Sequence, residues 1–113
     1  MNYKIINDPV PYIFKAVNEL YPDIKADIQY HPELEGAGCT TFPDDGTTPL
    51  IDISIKIPIS AVPEILAHEF AHIVNPKDGH GEKWEKTFDL IFNKAYELYE
   101  SEEAQKGDTN ENG

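Results

Sequence analysis

A regular alternation of isoleucine constrains the fold more than any other feature of this chain. Every second position in one stretch carries isoleucine, at Ile51, Ile53, Ile55, Ile57 and Ile59. Period two is the repeat of a β-strand, so the stretch predicts a strand with one buried face and one solvated face. Pro58 lacks a backbone donor, which limits the strand to its earlier part or to the edge of a sheet.

Weaker patterns on both sides of this strand predict the remaining elements. Asp8 is placed to N-cap a first helix, and Ser60 to N-cap a helix that follows the isoleucine strand. Residues 101–113 are polar and lack periodicity, which predicts a disordered acidic tail. We therefore expect a single α+β domain over residues 1–100, with helices at 9–20, 60–75 and 82–100 and with strands at 24–30, 37–42 and 51–59.

The charge balance excludes several classes of partner. The chain has 21 acidic and 9 basic residues, for a net charge of −12, and contains no arginine. A phosphate backbone repels such a chain, so we expect no nucleic-acid partner. No apolar run approaches the roughly 18 residues of a membrane span, so we also expect no membrane partner. The single cysteine, Cys39, excludes an internal disulfide and fits a reducing compartment, so we expect a cytoplasmic location.

The most informative motif is His68-Glu69-Phe70-Ala71-His72, which lies within the helix after the isoleucine strand. Residues four apart share a helix face, so the two imidazoles can converge on one metal ion. Glu69 then lies beside the metal, where it can take a proton from metal-bound water. The composition gives roughly 0.015 such matches by chance, although two half-buried surface histidines remain the alternative reading.

A catalytic zinc ion takes three protein ligands, so the motif requires a third. We favour His80, because Gly79 and Gly81 beside it allow the loop to turn back toward the helix. The alternative ligands are glutamates of the last helix, Glu82, Glu85 and Glu97.

Other candidate residues have simpler interpretations. His31 precedes a proline and is interpreted as a turn histidine. Cys39 is interpreted as a small buried side chain, with a ligand in the open zinc position as the alternative. Trp84 belongs either to the core or to the wall of the site. An oxyanion donor could come from one of several tyrosines, namely Tyr12, Tyr21, Tyr30, Tyr96 and Tyr99.

The stretch HEFAHIVNPKDGHGEKWEKTF resembles the SprT-like branch of the zincin metallopeptidases. That family carries H-E-x-x-H on one helix and His-Gly-x-x-aromatic at the start of the next, which reads HGEKW here. The resemblance covers about residues 9–100 and implies a zincin-like fold. It also implies that zinc is held by His68, His72 and His80, with Glu69 as the general base.

These observations predict a zinc-dependent metallopeptidase that acts on a polypeptide substrate through a zinc-bound water and Glu69. The isoleucine strand is expected to pair with the substrate backbone if it borders the cleft. The alternative is a zincin-like module that binds zinc and acts in binding or regulation with little or no proteolysis. The oligomeric state is left open.

Overall fold

The computed structural model describes residues 8–111 of the chain. Within that range the protein is α+β, as the sequence predicts. No helix in this range is both long enough and apolar enough to cross a membrane. The elements, in chain order, are α1 (Val10–Leu20), β1 (Asp27–His31), β2 (Gly38–Thr41), β3 (Leu50–Ser54), a 3₁₀ turn (Ile59–Ala61), α2 (Val62–Val74) and α3 (Glu82–Glu111).

The three strands form one sheet in the order β1-β3-β2. The central strand β3 runs parallel to β1 and antiparallel to β2, and Ile51 lies opposite both Ile28 and Thr40. Both edges of β3 are therefore occupied. The prediction that the isoleucine strand pairs with a substrate backbone is wrong, because in the described part of the chain the outer edges of the sheet belong to β1 and β2.

The isoleucine strand occupies only the earlier part of the alternation, one of the two outcomes that Pro58 predicts, and it is more buried than expected. It ends at Ser54 rather than Ile59, because the chain turns there and continues through Pro58 into the 3₁₀ turn. Ile59 is 83% exposed. Both faces of β3 are buried, and the buried Asp52 carboxylate accepts a 2.6 Å hydrogen bond from the Gln29 amide. The alternation thus identifies the strand but not its end or its two-sided burial.

The hydrophobic core lies where α2 packs against the sheet on one side and against α1 and α3 on the other. Its largest fully buried side chains come from α1, β3, α2 and α3, and they are Ile13, Ile51, Ile53, Leu66 and Ile91. Burial of each such side chain contributes about 1.5–3 kcal/mol relative to exposure. The helix with the H-E-x-x-H motif is therefore the central element of the domain.

The helix ends differ in part from the sequence predictions. Pro9 rather than Asp8 occupies the N-cap position of α1, although the Asp8 carboxylate accepts the Val10 N–H at 3.1 Å. Ser60 lies within the 3₁₀ turn and does not cap α2. The predicted disordered tail is wrong as far as residue 111, since α3 continues to that point. Glu102 contacts α1, where it accepts hydrogen bonds from Tyr12 and Lys15. Residues 112 and 113 lie outside the described range.

Candidate metal centre

Helix α2 supplies two of the three predicted ligands from one face. His68 and His72 are one helical turn apart, and their Nε2 atoms lie 3.2 Å from each other. Both side chains are half-buried, so one side of each ring packs on the protein while the other faces a cleft. The i, i+4 geometry of a helix is sufficient to produce this pair.

A short loop brings His80 back to α2. Gly79 has a φ of +60°, a left-handed conformation that glycine adopts without steric cost. At Gly81, a Cβ atom would lie 2.7 Å from the Asp78 carboxylate, so a side chain there would displace that group. The same carboxylate accepts the Trp84 N–H at 3.0 Å and caps the start of α3. Both glycines that flank His80 are therefore needed by the local geometry.

Asn75 joins the end of α2 to α3 and fixes the base of this loop. Its side-chain amide donates to the Ala71 carbonyl at 3.2 Å and to the Thr87 hydroxyl at 2.7 Å. Thr87 is buried, so the second of these hydrogen bonds lies inside the helix interface. The loop that carries His80 thus starts from a fixed point between the two helices.

The three histidine Nε2 atoms form a nearly equilateral triangle. His80 Nε2 lies 3.1 Å from that of His72 and 3.3 Å from that of His68. Hydrogen bonds alone do not explain three mutual contacts, since each ring nitrogen offers either one hydrogen or one lone pair. Tetrahedral zinc with bonds of about 2.0–2.1 Å would place its ligand nitrogens about 3.3 Å apart. The triangle therefore fits a zinc ion held by three imidazoles.

Glu69 lies beside this triangle and is only 5% exposed. Its Oε1 atom accepts a 2.6 Å hydrogen bond from the Thr40 hydroxyl on β2. Its Oε2 atom lies 3.8 Å from His68 Nε2. A Cβ atom at Gly38 would lie 3.2 Å from Oε2 and 2.6 Å from the Ile65 side chain, so β2 approaches α2 too closely for any larger residue. Strand β2 thereby holds the carboxylate in place.

The ligands open onto a cleft of about 340 Å³. Strand β2, helix α2 and the following loop form its walls, through Gly38, Thr40, Phe42, His68, Glu69, His72, Pro76 and His80. The cleft thus contains the histidine triangle, the buried carboxylate and one edge of the sheet. A substrate that entered it would reach all three.

Trp84 forms the outer support of the three histidines. Its ring centroid lies 4.7–5.6 Å from the centroids of all three imidazoles. Its indole N–H donates to the His68 carbonyl at 3.1 Å, and its ring stacks on Phe88 at 5.5 Å. The sequence left this residue between core and site wall, and the structure places it against the candidate ligands.

The electrostatic environment favours neutral ligand nitrogens at His72. Burial lowers the pKa of His72 below the ordinary histidine value, and the neighbouring His68 and His80 lower it further. The Glu69 carboxylate acts in the opposite direction. A histidine must be neutral to bind a metal, so the lowered pKa keeps this ring competent as a ligand to lower pH.

The structure separates the other candidates from this centre. Among the described residues, the potential metal-binding group consists of the three histidines, and neither the alternative glutamates nor Cys39 belongs to it. Glu97 instead lies 3.7 Å from Lys94. Cys39 is exposed, so its predicted burial is wrong, because its position alternates with that of Thr40 along β2. His31 is the last residue of β1 rather than a turn residue, and its Nδ1 accepts the Glu33 N–H of the turn that follows at 3.1 Å.

The sequence analysis did not identify the two β2 residues that contact Glu69. It also proposed five tyrosines as candidate oxyanion donors. None of the five candidate tyrosines lines the described cleft. Gly38 and Thr40 are two positions apart and so share a strand face, which was a readable signal. Which face of this strand would meet α2 depends on the tertiary fold, and the pattern alone did not contain that information.

Comparisons with known proteins give one informative result. No protein-family model matches the chain, and no curated protein matches it in sequence. Among solved structures, the chain is similar to the metallopeptidase zymogen of Pyrococcus abyssi abylysin, with a TM-score of 0.57 and 16% sequence identity. The match covers 86% of this chain and 93% of the other. At this identity the likeness shows a shared fold.

Proposed function

We propose that this protein is a zinc-dependent metallopeptidase. One observation carries the proposal: three histidine Nε2 atoms lie 3.1–3.3 Å from one another beside a buried carboxylate. The fold likeness to a metallopeptidase zymogen supports the same conclusion independently of these side chains. His68, His72 and His80 would hold the zinc ion, and Glu69 would act as the general base.

The roles of the protein groups follow from their positions. When bound, zinc would supply Lewis-acid activation of water and of the scissile carbonyl. Glu69 would accept the proton of the attacking water as the water oxygen bonds to the carbonyl carbon. It would then pass that proton to the amine nitrogen as the carbon–nitrogen bond breaks. Because the Thr40 hydroxyl donates a hydrogen bond to Oε1, we assign this proton transfer to Oε2, the oxygen nearer His68.

The substrate that fits this cleft is an extended polypeptide. Strand β2 lies at the edge of the sheet, and Gly38, Thr40 and Phe42 of the same stretch line the cleft. An extended chain can add to a free strand edge through backbone hydrogen bonds, independently of its side chains. We therefore assign substrate pairing to β2 in place of the isoleucine strand.

Two finer assignments belong to this proposal. Membership of the SprT-like branch rests on the HGEKW motif, which supplies His80 as a candidate ligand and Trp84 as its neighbour. A cytoplasmic location rests on the single free cysteine, Cys39, which suits a reducing compartment.

Two measurements on the purified full-length chain test the function. Elemental analysis should find one zinc ion per chain after dialysis, and casein should be cleaved in a reaction that a chelator stops and added zinc restores. Glu69→Gln should lose the cleavage, while Glu97→Gln, at an exposed glutamate of α3, should keep it. Zinc without cleavage would favour the binding or regulatory module, and the absence of zinc would refute the metal centre.

A further inference from the structure

A second concave surface lies apart from the metal cleft, between the start of α1, the turn before α2, and α3. It has a volume of about 370 Å³, and its lining is mostly apolar. We call it the α1–α3 groove, and it is lined by Pro9, Tyr12, Ile13, Ser60, Pro63, Phe92, Ala95, Tyr96 and Tyr99. None of these residues lines the metal cleft.

Large apolar side chains remain exposed along this groove. Phe92 is 39% exposed and Tyr96 is 60% exposed, and both lie on the α3 wall. Ile59, which directly precedes the groove residue Ser60, is 83% exposed. Contiguous exposed apolar surface of this kind is typical of a binding site for another molecule.

Acidic residues neighbour three of the residues that line this groove, two of them along the chain and one through a hydrogen bond; we call these three acids the acidic border. Asp8 directly precedes Pro9, Glu64 directly follows Pro63, and Glu102 accepts a hydrogen bond from the Tyr12 hydroxyl. One lysine, Lys15, lies beside Glu102 at 2.8 Å. An apolar floor with an acidic border is complementary to a segment that carries apolar side chains on one face and positive charges on the other.

We propose that the α1–α3 groove docks a cationic amphipathic polypeptide segment, with apolar anchors on Phe92 and Tyr96 and with basic residues beside the acidic border. The charge of the whole chain, −12, attracts such a segment and repels nucleic acids, anionic membranes and a second copy of the same chain. The proposal does not depend on the metallopeptidase assignment, because the groove shares no lining residue with the metal cleft.

A binding experiment with a defined probe tests this proposal. The probe is a fluorescein-labelled peptide of about four helical turns, built from leucine and lysine so that leucine occupies one helix face. A second peptide of the same composition in scrambled order keeps the charge but has no apolar face. Fluorescence anisotropy should show at least tenfold tighter binding of the amphipathic peptide. Equal affinity for the two peptides would refute the apolar part of the proposal.

Matched variants locate the binding surface. Tyr96→Ser should weaken binding about tenfold, as loss of an aromatic anchor does at an interface. Tyr30→Ser removes a tyrosine of the same 60% exposure on β1 and should leave the affinity unchanged. Glu64→Lys and Glu35→Lys both change exposed acids and alter the net charge identically, but only the first should weaken binding. Equal effects within either pair would overturn the assignment to this groove.

The remaining outcomes separate other occupants. Each titration is run in the Glu69→Gln background, so that the probe is not cleaved, with a chelator and again with zinc, and the affinity should be the same, since the groove holds no candidate ligand. Binding that requires zinc would place the peptide in the metal cleft and refute the proposal. Sedimentation of the protein alone should show no self-association through this groove, which would be recognised because Tyr96→Ser would abolish it. Such self-association would identify a second copy as the occupant instead.

Discussion

The hydrogen bond from Thr40 to Glu69 gives the most direct test of how the sheet supports the candidate site. Thr40→Val keeps the shape of the side chain and its preference for a β-strand, and removes only the hydroxyl. The hydroxyl donates at 2.6 Å to Oε1 of a carboxylate that is only 5% exposed. The substitution therefore leaves a buried charged oxygen without this donor.

The size of the effect follows from that burial. A hydrogen bond to a charged group contributes about 1.5–3 kcal/mol, and an unsatisfied buried acceptor costs about as much. Thr40 is half-exposed at the cleft, so water can replace part of the donor, and we take the lower value of about 1.5 kcal/mol. For a domain of this size, that loss lowers the melting temperature by about 6 °C.

Thermal unfolding followed by circular dichroism, with a chelator present, measures this loss without any contribution from bound zinc. Thr41→Val is the matched control, since Thr41 is the next residue of β2 and is exposed. Thr40→Ser keeps a hydroxyl and should recover most of the stability. In a Glu69→Gln background, Thr40→Val should destabilise less, because the acceptor there is neutral. Equal melting temperatures for Thr40→Val and Thr41→Val would refute the reasoning.

Four further predictions concern the metal centre and its partners. Glu69→Gln should keep zinc bound and lower turnover roughly 10²–10⁴-fold, and a variant that cleaves as fast as the parent would contradict the assigned base. His80→Ala should weaken zinc binding far more than Glu97→Ala in competition with a chromogenic chelator, and the reverse order would make the glutamate the third ligand. Because burial lowers the pKa of His72, this ring should stay neutral at pH values where an ordinary histidine is already protonated. Zinc affinity should fall as the ring becomes protonated, and the same competition assay at decreasing pH measures this. An affinity that rises as the pH falls would contradict the prediction. Duplex DNA should not bind measurably at physiological salt, and micromolar binding by anisotropy would overturn the charge argument.

Local patterns were sufficient to predict the order and type of the elements, but not where every element ends. The alternation from Ile51 to Ile59 has the same period in the strand and in the turn that follows, so the period does not mark the end at Ser54, and Pro58 indicates only that the strand ends early or lies at an edge. The polar residues after Glu100 have no apolar period, yet α3 continues through them, with Glu102 hydrogen-bonded to α1. The contact of Glu102 with α1 is a long-range interaction that no local pattern contains.

The same distinction applies to the candidate site. His68 and His72 meet because a helix repeats every 3.6 residues, so their pairing was predictable from spacing alone. His80 required one more inference, that a loop between two glycines turns back, and the structure places its Nε2 within 3.3 Å of both others. Thr40 was not predictable in this way, because its contact with Glu69 depends on which face of β2 packs on α2.

The residues of the candidate metal centre come from separate elements of the fold, so metal binding would be linked to folding. Two candidate ligands come from α2, the third comes from a loop fixed to α3 through Asn75, and Glu69, the proposed base, accepts a hydrogen bond from β2. An unfolded chain holds none of these in place, so a ligand of the folded centre adds its binding free energy to stability. At a concentration 100 times its dissociation constant, zinc would add about 2.7 kcal/mol. A domain of this size has a total stability of about 5–15 kcal/mol, so the metal would be a substantial part of what holds the fold together.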